Sequence, residues 1–379
     1  MRELRQWMQR LATVGGAEPP NSGSLRPVMH RVAAPSRLDF DNSVVRVVDT
    51  GAEVELFGTL PSCLSLLCWA DLAEHADHLG DIAVATQLGA VMTMATNRRV
   101  RVASAETSIH MEGTQSYTFL PAVIVDRELA GPLPEDAKER IEALLQRIIG
   151  LEEPDLVTIG NALDLHYASV LLHDVDLNAA YALAVAGIET LAQRYGTTST
   201  DWGHWDQAPR FDAAFDAAGL TDDQRISMRD ALLHERHLGL RQRFASYVCD
   251  RLPPTWWTTT VQDYIPSLEM QPTGMARLTG QTPADTWPID QFVPRDAATL
   301  RRRVLATYDA RSSYVHVGGR SVSAMTTMSA AIGDQAPAKT PLDFIGLRRI
   351  LCALIDLELA DRAELCDLPA LRLLHDAPD

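Results

Sequence analysis

The chain has 379 residues, 46% hydrophobic and 22% charged, a balance that leaves ample core for one large domain or two ordinary ones. No apolar run approaches the roughly eighteen residues of a membrane-spanning helix, and residues 1–16 lack the apolar stretch of a secretory signal, so a cytoplasmic protein is expected. A net charge of −16 argues against a broadly basic nucleic-acid binder.

Taken in chain order, the first forty residues read as a short helix and a loose lead-in punctuated by Pro19, Pro20, Pro27 and Pro35. From Ser43 to Phe57 the valines suggest strands flanking a turn at Asp49-Thr50-Gly51. Residues 62–96, rich in Leu and Ala, predict helix with a break near Gly80, followed by β-like runs at 99–103 and 118–125. This part, residues 1–130, is expected to be a mixed α/β sensor or regulatory module.

Beyond Val125 the pattern turns helical. Pro134 can open a helix that ends before Gly150, with Ile141, Leu144, Leu145 and Ile148 on one stripe. A second helix is expected over 153–172. Asp176 should cap a third, apolar nearly all round, that stops at Gly196 and carries one interior charge, Glu189. Thr221 and Gln224 form a capping box for a long helix to about Val248. Residues 252–294, with seven prolines and Trp256, Trp257 and Trp287, read as a long irregular insertion, ordered by its tryptophans. Asp296 opens the next helix, which ends at Gly318-Gly319, and Thr340-Pro341 start a final one with Leu347, Ile350, Leu351 and Leu354 on a stripe.

The five cysteines form no C-x-x-C pair, so they read as reduced core thiols, and no metal or other cofactor is expected. The basic residues are almost all arginine, Lys138 and Lys339 being the only lysines. They concentrate at 225–251 (about +3) and 295–320 (about +4), against about −23 elsewhere. Two readings are open: a solvated acidic shell around ordinary helices, or a local arginine-rich cleft that meets phosphate. Arg236, Arg241, Arg243 and Arg303 are the candidate RNA contacts under the second. Trp202-Gly203-His204-Trp205 and Trp256-Trp257 could stack bases or anchor loops.

The candidate chemistry lies in Tyr308-Asp309-Ala310-Arg311-Ser312-Ser313-Tyr314-Val315-His316. Cleaving a phosphodiester needs a group that moves protons near neutral pH and a fixed cation for the charge that builds on phosphate. Histidine and arginine supply these. The spacing alone is weak, because composition predicts about one Arg-x4-His by chance. Two occur, and the second, Arg229/His234, sits among Asp230, Glu235, Arg236 and His237 like a solvated face. Arg311 instead continues the stripe of Leu300, Val304 and Tyr308, where an arginine is costly without a partner, and Glu189 is a candidate ion-pair partner. His316 lies about 140° around the helix from Arg311, so a bend or a two-fold dimer must bring the pair together.

This stretch resembles the R-x4-6-H motif of HEPN domains, particularly the ApeA-like branch, in which a Tyr precedes an Arg-Ser pair and small residues follow a Val-His. Ala186 to Leu191 looks like that family's earlier helix with its acidic residue. The resemblance spans about residues 135–365 and implies a mainly α fold: a C-terminal HEPN-type helical bundle over 131–379, after the smaller N-terminal module. It implies a metal-independent, homodimeric endoribonuclease of toxin or antiviral type that leaves a 2′,3′-cyclic phosphate. Arg311 and His316 would be catalytic, with Ser312 in the polar position after the Arg and Glu189 and Tyr308 supporting. That position is more often Asn, Asp or His in other branches. The alternative is a non-catalytic HEPN scaffold that binds RNA or a protein, and a regulatory or antitoxin partner is a further expectation.

Overall fold

The computed structural model describes residues 1–14, 27–34, 40–41, 46–53, 63–70, 81–104, 110–111, 114–115, 126–173, 175–197, 202–205, 207–234, 239–270, 276–317 and 340–363. Within them the chain is mainly helical. The α-helices are α1 (Arg2–Val14), α2 (Asp81–Thr96), α3 (Ala137–Ile149), α4 (Glu153–Leu172), α5 (Leu177–Tyr195), α6 (Ala208–Ala217), α7 (Asp222–His234), α8 (Leu240–Arg251), α9 (Ala297–Val317) and α10 (Phe344–Arg362). The strands are β1 (Pro27–Ala34), β2 (Phe40–Asp41), β3 (Arg46–Glu53), β4 (Cys63–Ala70), β5 (Arg101–Ser104), β6 (His110–Met111), β7 (Thr114–Gln115), β8 (Thr260–Met270) and β9 (Ala276–Pro288). No described helix is long and apolar enough to cross a membrane.

Two compact units emerge. One comprises Met1–Ala180, Thr260–Trp287 and Ile355–Asp379, the other Tyr181–Thr259 and Pro288–Leu354. The sequence division at residue 130 follows composition, whereas compactness keeps α3 and α4 with the N-terminal strands.

In the first unit five strands form an antiparallel sheet in the order β2-β3-β4-β1-β5. Here the sequence reading needs correction. Residues 63–70 are a strand, not helix: β4 pairs on both sides, and a strand inside a sheet need not show the alternation that distinguishes it from helix. Part of the lead-in is β1, with Pro27 at the first strand position, where proline is tolerated. The turn at Asp49-Thr50-Gly51 is instead a register shift within β3, between Asp49 and Ala52. The expected strand at 118–125 lies outside the described residues. Helices α1 to α4 share a core that includes Leu4, Leu88, Ile141, Leu145, Ile159 and Leu163. Tyr167 on α4 accepts the Val102 N–H on β5 at 3.3 Å.

The 252–294 segment is also more regular than its prolines suggest. Strands β8 and β9 pair as a two-stranded ribbon between 3-10 turns at Pro254–Thr258 and Ile289–Gln291. In such a ribbon each strand keeps an unpaired outer edge, where a missing N–H costs nothing, so Pro266 and Pro283 are compatible with it. Tyr264 of β8 lies against Gly131, where a Cβ would have no room, and Arg98 stands over its ring at 5.1 Å.

The second unit is built on local signals that the sequence displays. Asp176 accepts from the Asn178 and Ala179 N–H groups at 3.0 Å and so starts α5, just before this unit begins. Thr221 and Gln224 exchange bonds of 2.9 and 3.4 Å as a capping box on α7. Asp296 accepts from Thr299 N–H at 2.7 Å ahead of α9. The long helix expected over 221–250 is two, α7 and α8, with residues 235–238 outside the description. Helix α6 ends in a Schellman turn: Gly219 at φ +65° donates to Asp216 O, and Leu220 N–H donates to Phe215 O. Tyr181, Ile188, Phe244, Leu300, Val304 and Leu347 are among the buried residues of this unit.

Candidate active site

The site residues come from α5, α8 and α9, all within the second unit. Helices α8 and α9 run antiparallel: Arg241 near the start of α8 meets Asp309 late in α9, while Arg301, early in α9, reaches Ser246 and Gln242. Between these contacts Phe244 packs on Tyr308, ring centroids 5.4 Å apart.

There the structure brings together Glu189, Tyr308 and Arg311. Arg311 Nη2 lies 3.3 Å from Glu189 Oε2, with side-chain exposures of 23% and 11%. The Tyr308 hydroxyl donates to Glu189 Oε1 at 3.4 Å, and so does Gln193 Nε2, one turn further along α5, at the same distance. The carboxylate is thus ringed by three donors from two helices. A charge on an apolar helix needs such partners, because burying it alone is far costlier than burying the pair. Burial, and next the Glu189 charge, push the Tyr308 phenol above its usual value, against the opposing Arg311 charge. Tyr308 therefore stays a donor at neutral pH. Arg311 Nε is buried and meets no acceptor among the described residues.

His316 lies in the last turn of α9, which runs unbroken from Ala297 to Val317. Its side chain lies outside the described residues. The backbone places it about 140° around from Arg311, so one chain does not present both on one face. Ser312 is half-buried on the same helix.

The expected RNA contacts separate. Arg303 is 2% exposed and donates from Nε to Thr340 O at 3.3 Å and from Nη2 to Pro341 O at 3.0 Å. It is a core latch rather than a surface contact. The same place is held by Tyr181, donating to Leu342 O, and by Leu342 N–H, donating to Thr307 Oγ1, each at 2.9 Å. Arg241 forms a two-pronged pair with Asp309, both bonds 2.8 Å, which occupies its fork. Arg243 lies beside Gly196 at the end of α5. Arg236 lies outside the described residues.

The other Arg-x4-His pair is engaged elsewhere. Arg229 donates to Asp212 at 2.7 Å and stands 5.4 Å over the Trp202 ring, whose N–H also donates to Asp212. Those donors, Trp202 first, hold the Asp212 carboxyl below the ordinary carboxylate range. Trp202 and Trp205 meet edge to face at 5.1 Å, and Trp205 stacks on Phe211 at 5.0 Å. Trp256 and Trp257 meet at 4.9 Å. These rings anchor local packing. Sequence reasoning missed Gln193, Asp309 and Phe244; Gln193 had a visible signal, since it lies one helical turn from the interior Glu189.

Among the described residues no three His, Cys, Asp or Glu side chains are grouped as metal ligands would be. No known protein family, curated protein or solved structure matches this chain.

Proposed function

We propose that the second unit is a phosphodiester-cleaving helical domain. More particularly, we read it as a HEPN-type, metal-independent endoribonuclease acting as a homodimer. The observation that carries the reading is the half-buried Arg311, paired with a Glu189 that Tyr308 also holds, and with one N–H that meets no acceptor among the described residues. A guanidinium fixed in a low-dielectric recess is worth more to a charged transition state than one free in water. In the reaction, the 2′-hydroxyl loses its proton to the His316 imidazole, and its oxygen bonds to phosphorus. The bond from phosphorus to the 5′-oxygen breaks, and the leaving oxygen takes a proton from the imidazolium. The products are a 2′,3′-cyclic phosphate and a 5′-hydroxyl, with Arg311 neutralising the crowded phosphoryl oxygens. Because the unbroken α9 turns Arg311 and His316 to different faces, the imidazole comes from a second copy. Such an activity suits a toxin or antiviral effector restrained by a partner protein.

The test compares wild type, Arg311→Ala and His316→Ala on total RNA in the presence of a chelator. Wild type should cleave and each variant should not, while a mixture of the two variants should regain part of the activity. Equal cleavage by all three proteins ends this reading.

A non-catalytic scaffold that binds RNA or a protein is the second reading. The net charge of −16 favours it, as does the engagement of Arg241 and Arg303 in contacts within the chain. Binding without cleavage, unaffected by His316→Ala, supports it.

A further inference from the structure

The face of α5 that holds Glu189 carries a second arginine at its other end. Gln193 and Gly196 follow Glu189 at intervals of four and seven residues, so the three share one face. A Cβ at Gly196 would stand 3.0 Å from Arg243 Cγ and 2.5 Å from Ala192 O. The glycine is therefore the bed on which the Arg243 stem lies. The two arginines flank the same support, since Phe244 follows Arg243 on α8 and packs on Tyr308, one turn before Arg311.

Both guanidiniums are under-used. In Arg243, as in Arg311, Nε is buried with no acceptor among the described residues. Arg225, Arg229 and Arg241 each pair with an aspartate, whereas no described carboxylate pairs with Arg243. The negative pole at the end of α5 accounts for a cation lying there, but it gives that N–H no acceptor.

We propose that Arg311 and Arg243 form a two-point track along this face, taking neighbouring phosphates of a single RNA strand, with the scissile one on Arg311. The proposal rests on the ribonuclease reading and adds the form of the substrate. Seven residues of α5 separate the two ends by about 10 Å, a span that two long side chains close onto neighbouring phosphates. With Arg311 23% exposed and its partner Glu189 11%, the first point is recessed. A stiff duplex cannot bend its backbone into such a recess, whereas a flexible strand can.

The test uses a short fluorescent 2′-O-methyl oligouridylate, which cannot be cleaved because its 2′-oxygen is blocked, alone and annealed to its complement. Anisotropy is followed through a salt titration. The single strand should bind more tightly than the duplex. Arg243→Gln should weaken single-strand binding on the order of tenfold and flatten the log–log salt slope by about 0.7, the loss of one phosphate contact. Arg243→Lys keeps the charge and should retain most of the slope, which separates lost contact from lost folding. A wild-type slope and affinity in Arg243→Gln, or a duplex bound as well as the single strand, overturns the track. If Arg243→Gln binds normally while wild type cleaves RNA, the track falls and the ribonuclease stands. If Arg243→Gln loses binding but wild type cleaves nothing, the ribonuclease reading falls and with it the scissile position on Arg311, while the two-point binding of a single strand stands.

Discussion

Replacing Glu189 by glutamine keeps the shape of the side chain and an oxygen for Tyr308, but removes the charge that faces Arg311. At 3.3 Å the pair attracts with a gross energy of about 5 kcal/mol for an effective dielectric constant of about 20. Most of that is offset by the desolvation of both groups. With exposures of 23% and 11% the pair is only partly buried, so its rupture should cost less than that of a fully buried pair. We expect a loss of about 1–3 kcal/mol in unfolding free energy. The hydrogen bonds from Tyr308 and Gln193, each 3.4 Å, are long and add little. The larger effect should fall on cleavage, because Arg311 loses the group that sets its direction. A misplacement of about 1 Å costs on the order of a hundredfold in rate, so kcat should fall roughly ten- to a hundredfold with a smaller change in KM. The assay is a double-mutant cycle of Glu189→Gln and Arg311→Met, read by urea unfolding, with initial rates on a fluorogenic RNA for Glu189→Gln. If the two substitutions simply add in stability, within about 0.5 kcal/mol, the pair is not coupled and the orienting role of Glu189 is wrong.

Two further outcomes follow from the burial pattern. Arg303→Met should destabilise the protein by about 2–4 kcal/mol, since it removes both donors to the 340–341 carbonyls, yet leave the salt slope of RNA binding unchanged; a flatter slope would place Arg303 on the RNA. Tyr167 is pushed by burial from 10.0 up to about 12. The folded state thus favours the neutral phenol, and this stabilisation is complete below pH about 10 and lost as pH rises toward about 12. The loss is on the order of 3 kcal/mol and should appear as a falling urea midpoint that Tyr167→Phe flattens; an unflattened profile refutes it.

What the sequence displays best is whatever a few neighbouring residues decide. The caps at Asp176, Thr221 and Asp296 each join a side chain to an N–H two or three residues away, so no tertiary knowledge is needed to read them. Strand β4 is different, because its pairing with β1 and β3 lies in partners distant in sequence, and its leucines and alanine serve a helix equally well. Glu189 falls between. An interior charge on an apolar helix announces that a cation must reach it. Which arginine does so depends on how α9 packs, and only the stripe through Leu300, Val304 and Tyr308 pointed to Arg311. Arg303 is hard to place from sequence for the same reason: three consecutive arginines, 301–303, look alike, and the fold sends one inward to carbonyls that lie about forty residues ahead.

The charge pattern gains a different meaning from these contacts. The arginine excess over 225–251 leaves a phosphate-meeting cleft and an ordinary solvated face both open in sequence, and Arg225, Arg229 and Arg241 are each matched by an aspartate brought in by the fold. Such partly exposed pairs add little stability, yet they cancel the far field that would draw in RNA. On the two-point track proposed above, a phosphate is held at short range by Arg311 and Arg243 rather than by a broad patch. An RNA-binding site built this way releases few counterions, so its affinity should vary weakly with salt and depend on the strand's reaching both points at once. That is selection by geometry. On the proposed reading, it would let an acidic chain act on RNA without holding most of the RNA it meets.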